Sequence, residues 1–389
     1  MINKQLNILF LASWYPNRVE PQDGNFVQRH ALATAKFCKV AALHVRSVVD
    51  VDQFTIEKRW NQNILEVIVY FPKTIKILPF IKLQRYKKAH YLGYEAIVKE
   101  IGAINFVHLN VSYPAGIFAH LLKSKYQIPF LLTEHWTVFL DSNPHDFGAY
   151  QKYIVQQVGR EASAICPVSE DLAKAMKAKG IQNNFQVIPN VVDTDLFTHL
   201  PIKQCGEKIK ILHVSTLFDP HKNISGILRT IAKLSEQRND FEIKIVGNGF
   251  VEEHQAFAKK LNIPDGIVEF QGETPYEEIA HLMQKYDLFL LFSNYENLPC
   301  VISEAHVAGL PVLASNVGGI SEMIDDQNGV LTHAKDESLL LSKLNHLMDH
   351  IDEYDRKEIR RKAIERYSFE TVGQQYFDLY TQNLNPKSN

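Results

Sequence analysis

The stretch Asp287–Ile324, DLFLLFSNYENLPCVISEAHVAGLPVLASNVGGISEMI, sets the architecture of the second half of the chain. Its first part, Leu288–Phe292, is short and wholly apolar, which is typical of a strand covered on both faces of a parallel sheet. A polar turn follows, and a helix is predicted over Pro299–Ala308 because proline suits the first turn of a helix. A second short strand comes next, and a further helix is predicted from Gly318-Gly319.

Two helix N-termini are thus predicted at the carboxyl ends of neighbouring strands. Such positions offer free N–H groups and partial positive charge, which suit a diphosphate. Glu296 lies in the turn after the first strand, and Glu304 lies about a turn and a half into the helix. Because carboxylates accept hydrogen bonds from hydroxyl groups, the two acids indicate a hydroxyl-rich ligand. The residues alone leave another interpretation open, in which one acid complements the helix dipole and the other is solvated.

A long signature of mixed residue types surrounds these acids, namely Glu296-Asn297-Leu298-Pro299, Glu304-Ala305, Ala308-Gly309, Pro311-Val312, Gly318-Gly319 and Glu322. It closely resembles the donor-site signature of the family 4 (group 1) retaining glycosyltransferases. The resemblance implies the GT-B fold, an α/β architecture of two Rossmann-like domains with parallel sheets facing each other across a cleft. It also implies a nucleotide-sugar donor. Glu296 would hold hydroxyls of the donor sugar, Glu304 would hold the ribose hydroxyls, and Asn297 and Leu298 would complete the donor site.

Length and composition bound the class of protein. At 389 residues the chain is long for one domain, so two domains are expected. The formal net charge of −2 gives no overall bias toward nucleic acid or another polyanion. The four cysteines are widely spaced, as is typical of reduced cysteines in a cytosolic protein. No run approaches about 20 apolar residues and the N-terminus lacks the form of a signal peptide, so a cytoplasmic location is expected.

Strand and helix signals alternate along the whole chain, which is typical of parallel sheets with crossover helices. We predict a first domain over residues 1–200 and a second over residues 209–367, joined by the aperiodic linker Thr198–Lys208. In the first domain, Thr55–Tyr70 is expected to form an antiparallel pair or an insertion, and Gln186–Ile188 a strand. By resemblance, the last segment, residues 369–389, packs back on the first domain, which is the acceptor side.

A second part of the resemblance follows the first strand of the second domain, in VSTLFDPHKN, residues 214–223. The family carries an Arg and a Lys here, both on the donor diphosphate. Lys222 matches the Lys, but Thr216 stands where the Arg is expected. Compensation would come in part from His213 or His221; otherwise the donor would bind weakly. The alternative is that Lys222 is a solvated lysine at the start of a helix.

Glycine turns carry weaker parts of the resemblance. Gly247, in VGNG, resembles the family's turn against the nucleotide base, since glycine allows positive φ and close backbone approach. Gly24, in DGNF, resembles the family's N-terminal glycine loop, with one glycine where many members have two. It opens a predicted helix whose amides would face the diphosphate.

His135, in TEHW, follows a predicted strand end in the first domain. By resemblance it occupies the position of the cleft histidine that contacts the donor sugar near the reacting carbon. A neutral imidazole can donate a hydrogen bond to a sugar hydroxyl or orient the acceptor. The residues alone also allow a surface-loop histidine capped by Glu134. On the resemblance, His135 and Glu296 are the candidate catalytic residues.

The resemblance implies no metal and no other cofactor, because the nucleotide sugar is a substrate. It implies front-face attack with retention of anomeric configuration, in which the leaving phosphate accepts the acceptor's proton. Lys222 and helix dipoles would stabilise the leaving nucleoside diphosphate.

The segment Lys73–Tyr94 lies outside the family signature. It carries six basic residues, no acidic residue, and interleaved aromatic and aliphatic side chains. Such a segment suits an anionic membrane surface or a lipid-diphosphate acceptor, and peripheral membrane contact is one hypothesis. The other is a solvated helix face whose apolar side packs on the sheet.

The leading hypothesis is a glycosyltransferase that moves a hexose-type sugar to a surface glycan or lipid-linked acceptor in exopolysaccharide, lipopolysaccharide or capsule biosynthesis. Two other enzyme classes, a sugar-nucleotide epimerase and a phosphorylase, fit the signature less well. A catalytically weak GT-B module that binds nucleotide sugar or a partner enzyme stays open because of Thr216. A nicotinamide oxidoreductase is set aside because no G-x-G-x-x-G follows a strand. Nothing indicates a nucleic-acid partner.

Overall fold

The computed structural model describes residues 6–73, 79–141, 143, 146–197 and 208–384. The chain divides into two compact units, one formed by the residues up to Val191 and those from Phe369 onward, the other by Val192–Ser368. Residues 198–207, most of the predicted linker, lie outside the described residues. The change of unit comes earlier, because the Val192 N–H already donates to the Tyr367 carbonyl of the second unit.

The first unit is built on a sheet of seven strands within the described residues, in the order β3-β4-β2-β1-β5-β6-β7. All neighbours are parallel except β3 and β4, which are antiparallel, so the predicted antiparallel pair is confirmed. Its elements before the chain enters the second unit are β1 (Asn7–Ala12), α1 (Asn25–Thr34), β2 (Lys39–Val48), β3 (Thr55–Asn61), β4 (Ile64–Pro72), α2 (Pro79–Ile101), β5 (Phe106–Asn110), α3 (Gly116–Tyr126), β6 (Phe130–Glu134), α4 (Ala149–Glu161), β7 (Ile165–Pro167) and α5 (Glu170–Ala178).

The central strands of this sheet are buried along almost their whole length, as their apolar runs predict. The predicted strand over Gln186–Ile188 is wrong. The N–H groups of Gln186 and Ile188 donate to carbonyls of Ile165 and Pro167. Among the described residues, the side of β7 away from β6 carries an isolated bridge, between Ile165 and Phe185, and not a strand. The stretch lies beside β7, which has only three residues and is too short to form a regular ladder with it.

The second unit is built on a fully parallel six-stranded sheet within residues 208–368, in the order β10-β9-β8-β11-β12-β13. Apolar side chains of both sheet faces and of the covering helices form its core. Its elements are β8 (Ile209–Val214), α6 (Asp219–Lys222), α7 (Ile224–Ser235), β9 (Phe241–Val246), α8 (Val251–Lys260), β10 (Val268–Gln271), α9 (Tyr276–Lys285), β11 (Leu288–Leu291), α10 (Cys300–Val307), β12 (Val312–Ser315), β13 (Gly329–Thr332), α11 (Glu337–Asp349) and α12 (Arg356–Tyr367).

Two features of this unit differ from the sequence-based expectation. The helix predicted from Gly318-Gly319 is a single 3₁₀ turn, Gly318–Glu322, because the chain must double back at once toward β13. Strand β13 itself was not predicted. It holds only four residues, and a Cβ added at Gly329 would come within 2.1 Å of the Val312 carbonyl oxygen, so glycine permits its close approach to β12.

The last helix, α13 (Phe369–Leu384), belongs to the first unit and packs on α1. A Cβ added at Gly373 would come within 2.3 Å of the Ala33 carbonyl oxygen, which shows how closely the two helices approach. The hydroxyl of Tyr380 lies 2.6 Å from His108 Nδ1, inside the core. This buried contact ties α13 to β5.

Candidate functional site

Three strand-end loops of the second unit are joined by hydrogen bonds. They follow β9, β8 and β11, which are neighbours in the sheet. The Leu217 N–H donates to the Asn248 carbonyl at 2.8 Å, and this contact joins the loops after β8 and β9. The Asn294 N–H donates to the His221 carbonyl at 2.8 Å, joining the loops after β8 and β11. The fold therefore brings Lys222, His221 and Glu296 together at the carboxyl edge of the sheet, where open α/β sheets bind ligands.

Lys222 and Glu296 form a buried ion pair. Their side chains are only 12% and 7% exposed, and Lys222 Nζ donates to Glu296 Oε1. The Ser293 hydroxyl donates to the same oxygen at 2.7 Å. Burial alone would raise the pKa of the Glu296 carboxyl, but Lys222 and then His221 outweigh that effect and lower the pKa to about 2. Glu296 is therefore ionised at neutral pH, and Lys222 is neither a solvated nor an isolated lysine.

The three residues considered as substitutes for the missing Arg differ in their surroundings. The ring of His221 stacks on Tyr295, with centroids 4.1 Å apart and planes at 5°, and its Nε2 lies 3.7 Å from Glu296 Oε2. His213 is buried between the Leu290 carbonyl and the Ser215 hydroxyl, and burial lowers its pKa to about 4. His213 is thus neutral near pH 7 and supplies no charge. The side chain of Thr216 is exposed.

Glu304 is held by a residue that the sequence reasoning missed. The Tyr276 hydroxyl donates to Glu304 Oε1 at 3.1 Å. The ring of Tyr276 packs edge-on against the fully buried Phe197, with centroids 5.3 Å apart. Tyr276 opens α9, far from Glu304 in sequence, so no local spacing signals the contact. The tyrosine limits the orientations open to this carboxylate.

Two glycines allow the strand-end loops to cross at short range. Gly318 has φ +55°, and an added Cβ would lie 2.1 Å from the Glu296 carbonyl oxygen. An added Cβ at Gly247, where φ is +157°, would lie 1.8 Å from the Ser215 carbonyl oxygen. Beside Gly318, the Gly319 N–H donates to the Asn297 carbonyl at 2.8 Å. Both Asn297 and the following Leu298 are buried, so this loop is held as part of the packed fold.

In the first unit, His135 is buried in an aromatic environment. Its ring lies 4.6 Å from Phe26 and 5.4 Å from His30, centroid to centroid, and it is only 8% exposed. Burial, followed by the nearby His30, lowers its pKa well below the usual value, so the imidazole is neutral. The interpretation as a surface-loop histidine is wrong.

Glu134 fixes the loop that carries His135. Its buried carboxylate accepts hydrogen bonds from the N–H groups of His135 (2.9 Å), Trp136 (3.0 Å) and Ser112 (3.0 Å). Gly24 caps α1 nearby in the left-handed region, at φ +62°, and an added Cβ would meet the Trp14 backbone at 2.3 Å. Because the cap residue of α1 is a glycine, it offers no side chain that could accept hydrogen bonds from the first amides of the helix.

No group of three or more His, Cys, Asp or Glu is placed to hold a metal ion among the residues that the structure describes. His135 belongs to the first unit, whereas Glu296, Glu304, Lys222 and Gly247 belong to the second.

Comparison with known proteins identifies the family. Residues 29–196 match the model of "Glycosyltransferase Family 4", and residues 200–366 match that of "Glycosyl transferases group 1". The O-antigen biosynthesis glycosyltransferase WbnH of Escherichia coli is 25% identical over 81% of this chain and 87% of its own. The N-acetyl-alpha-D-glucosaminyl L-malate synthase of Bacillus anthracis is 26% identical over 74% of this chain and 77% of its own.

Solved structures show the same architecture. Sucrose-phosphate synthase from Thermosynechococcus elongatus has a TM-score of 0.77 at 17% identity, covering 98% of this chain and all of its own. Anabaena HepE, solved in complex with UDP and glucose, has a TM-score of 0.69 at 17% identity, covering 97% of this chain and all of its own. With two parallel-sheet α/β units and both family models matched, the chain belongs to the family 4 (group 1) glycosyltransferases and has their GT-B fold.

Proposed function

We propose that this protein is a retaining glycosyltransferase that moves a hexose-type sugar from a nucleotide-sugar donor to a glycan or lipid-linked acceptor. The observation that carries the proposal is the buried Lys222–Glu296 pair, which lies at the carboxyl ends of β8 and β11. Folding alone gives little reason to bury two charges there, since such a pair roughly balances its own desolvation cost. Relatives named for O-antigen and colanic acid biosynthesis support surface polysaccharide synthesis as the setting.

Each candidate residue has a defined part in the proposed reaction. Lys222 pairs with the donor diphosphate, Glu296 accepts hydrogen bonds from the donor sugar, and Glu304 accepts them from the ribose. The bond between the anomeric carbon and the phosphate oxygen breaks as the acceptor oxygen bonds to that carbon on the same face. The acceptor's proton passes to the departing phosphate oxygen, and a nucleoside diphosphate leaves. The neutral His135 donates a hydrogen bond to the sugar near the reacting carbon.

No divalent metal has a part in this proposal. Lys222 supplies the positive charge against the departing diphosphate, with helix N-terminal amides adding partial charge. Because Thr216 replaces the expected Arg, we assign to His221, which lies beside Glu296, a second hydrogen bond to a phosphate oxygen. The affinity for the donor is therefore expected to be modest. Because the proposed reaction uses no divalent metal, transfer is expected to proceed in the presence of EDTA.

A thermal-shift screen against UDP-, GDP-, ADP- and TDP-sugars in EDTA tests the proposal. A donor at 100 times its Kd stabilises the folded form by about 2.7 kcal/mol. For a unit of this size that free energy corresponds to a rise in Tm of roughly 5–10 °C. One nucleotide class is expected to give that rise. If no nucleotide sugar raises the Tm, with or without added Mg²⁺ or Mn²⁺, the proposed function is wrong.

A nucleotide-sugar-binding module without transferase activity is the second candidate, and the exposed Thr216 favours it. The two candidates differ in turnover. Slow hydrolysis of the preferred donor, releasing nucleoside diphosphate without an acceptor, is expected of the enzyme. Tight donor binding with no release over many hours would identify the module.

We also propose that α2 places the protein on an anionic membrane surface. At its start, Phe80 is 70% exposed and Ile81 is 38% exposed, beside the exposed Lys82. Part of the segment instead packs on the unit, since Arg85 donates to the Pro72 carbonyl. Residues 74–78 lie outside the described residues. No helix within the described ranges combines the length and apolar character needed to span a bilayer.

Sedimentation with liposomes tests this contact. Binding to phosphatidylserine or phosphatidylglycerol vesicles at low salt is expected, and binding should weaken as salt rises. Each lysine near such a surface contributes about 1 kcal/mol, so Lys82→Glu, which also adds a negative charge, should weaken binding at least roughly fivefold. Lys99→Glu, at the other end of α2, is the matched control and should have little effect. Absence of sedimentation at low ionic strength would remove membrane contact from the account.

A further inference from the structure

Strand β3 (Thr55–Asn61) forms one edge of the sheet of the first unit. All seven of its residues pair with β4 in an unbroken antiparallel register, so no bulge twists this edge away from a partner. The strand contains neither proline nor glycine. Among the described residues, no strand pairs with its other side. Such a strand presents a row of backbone N–H and C=O groups with which another strand can pair.

Two large apolar side chains of β3 are exposed. Trp60 is 58% exposed and Ile56 is 38% exposed. Since side chains alternate along a strand, both lie on the same face of the sheet as Lys58. Tryptophan is enriched among the residues that dominate the energetics of protein–protein interfaces. An exposed tryptophan on an edge strand therefore indicates a partner that covers it.

The sequence of β3 is self-complementary about Lys58. Suppose that a second copy of the strand lies antiparallel, with the two Lys58 residues opposite each other. Glu57 of each copy then faces Arg59 of the other, and Ile56 of each copy faces Trp60 of the other. Opposite-charge pairs and pairs of an aromatic with a β-branched residue are the cross-strand pairs that stabilise antiparallel sheets. The partner that this edge fits best is a second copy of itself.

The two charged residues of this register are accessible and held in place. The side chains of Glu57 and Arg59 are both about half exposed. Arg18 donates to the Glu57 carboxylate at 3.0 Å, and Arg59 donates to the buried carboxylate of Glu66. These contacts limit the orientations of both side chains before a partner arrives, which lowers the entropy cost of association.

Lys58 is the residue that faces its own copy in this register. A lysine often protects an exposed edge from pairing, and two lysines directly opposite each other are unfavourable. In this chain, Lys58 Nζ lies 2.9 Å from a carboxylate oxygen of Glu100 on α2. The carboxylate offsets the lysine charge in each copy, so the central pair does not prevent the strands from meeting.

We infer that β3 is a homodimer interface, in which the β3 strands of two copies pair antiparallel about a two-fold axis at Lys58. The two sheets, of seven strands each within the described residues, then form one continuous sheet. The carboxyl ends of the parallel strands point in opposite directions in the two copies, so the strand pairing covers neither of these edges. The interface uses no residue of the candidate site, and its test is therefore independent of the proposed function.

Sedimentation equilibrium of the full chain, at concentrations up to about 200 µM, measures the association. Because one pair of edge strands is a small interface, a Kd of about 1–100 µM is expected. Trp60→Ser should raise this Kd at least about tenfold. Tyr153→Ser is the matched control, because Tyr153 is similarly exposed but lies on α4, which packs on β6 toward the opposite end of the sheet. The control should associate like the wild type.

Cysteine cross-linking tests the register. Lys58→Cys places two thiols opposite each other, at a Cα separation of about 4.5–5.5 Å that a disulfide can span. Mild oxidation is expected to convert most of this variant into a covalent dimer. The exposed pair with Glu100 contributes little to stability, so the variant should fold. The wild type, oxidised in parallel, gives the background from the native cysteines.

Two cysteine variants at the ends of β3 serve as register controls. In Thr55→Cys the two introduced thiols of a dimer would lie about 20 Å apart along the strands, so it should not cross-link with itself. An equimolar mixture of Thr55→Cys and Asn61→Cys should cross-link, because these positions face each other in the proposed register.

Each outcome bears on the interface. Association that Trp60→Ser weakens, together with cross-linking at position 58 and between positions 55 and 61, would support it. A chain that stays monomeric at every concentration would overturn it. Association without cross-linking of Lys58→Cys, or association that Trp60→Ser leaves unchanged, would also overturn it, because another surface would then join the two copies.

Discussion

Replacing Lys222 with methionine is expected to abolish measurable transfer and to lower the free energy of unfolding by about 3–5 kcal/mol. Methionine keeps much of the apolar stem but removes the charge, which leaves Glu296 buried without its main compensating partner. The lowered pKa of Glu296, about 2, corresponds to a loss of similar size in the free energy of unfolding. A pKa lowered from 4.5 to about 2 corresponds to about 3 kcal/mol of stabilisation of the charged carboxylate in the folded protein.

The same pair predicts a pH dependence of stability. The pKa of Glu296 is lower in the folded protein than in the unfolded chain. The contribution of its charge to the free energy of unfolding is therefore complete above about pH 4.5. This contribution is lost as the pH falls toward 2. Denaturant unfolding at pH 7, 4 and 3 should show this loss in the wild type. In Lys222→Met the difference between pH 7 and pH 3 should be smaller.

Two further variants control the Lys222 experiment. The double variant Lys222→Met/Glu296→Gln removes both charges, so it should regain most of the lost stability without regaining transfer. Lys244→Met breaks an ion pair of the same unit whose Glu269 partner is 67% exposed, and it should cost less than about 1 kcal/mol. If the Lys222→Met protein were as stable and as active as the wild type, the buried pair would contribute neither to the stability of the fold nor to sugar transfer.

Gly318→Ala is expected to be strongly damaging to the second unit, although it adds a single methyl group. The added Cβ would lie 2.1 Å from the Glu296 carbonyl oxygen and 3.2 Å from that of Asn297, so the loop carrying the candidate sugar-binding acid must move. We expect a loss of at least about 3 kcal/mol in the free energy of unfolding, together with loss of donor binding. Unfolding by denaturant and the thermal shift with donor measure the two effects.

Gly249→Ala is the matched control for this substitution. Gly249 also has a positive φ, +81°, but an added Cβ would meet no atom within 4 Å. It should cost only the strain of a left-handed alanine, about 1 kcal/mol, with donor binding retained. Equal costs for the two variants would mean that the close approach at Gly318 does not constrain the site.

The sequence predicted the α/β class and most of the elements, because buried parallel strands and their helices have distinct patterns. Leu288–Phe292, for example, is an apolar run too short for a helix and bounded by a polar turn. Sequence patterns do not predict short secondary-structure elements whose residue types are also typical of turns. The four residues of β13 and the single 3₁₀ turn at Gly318–Glu322 are of this kind.

The candidate site was predicted only in part. The signature predicted that Lys222 and Glu296 are important, but not that they pair with each other, because 74 residues separate them. That pairing depends on β8 lying next to β11, which local periodicity does not report. The Tyr276 contact with Glu304 and the three N–H groups held by Glu134 are likewise tertiary contacts with no local signal.

We propose that Glu296 and Glu304 hold the two sugars of a nucleotide-sugar donor. The decisive experiment is calorimetric titration of the preferred donor, and of its nucleoside diphosphate, into wild type, Glu296→Gln and Glu304→Gln. Loss of a charge-assisted hydrogen bond corresponds to roughly 10- to 150-fold in affinity. We expect Glu304→Gln to weaken both ligands by such a factor, and Glu296→Gln to weaken the donor more than the diphosphate. Unchanged affinity for both ligands in both variants would show that neither carboxylate holds a sugar of the donor.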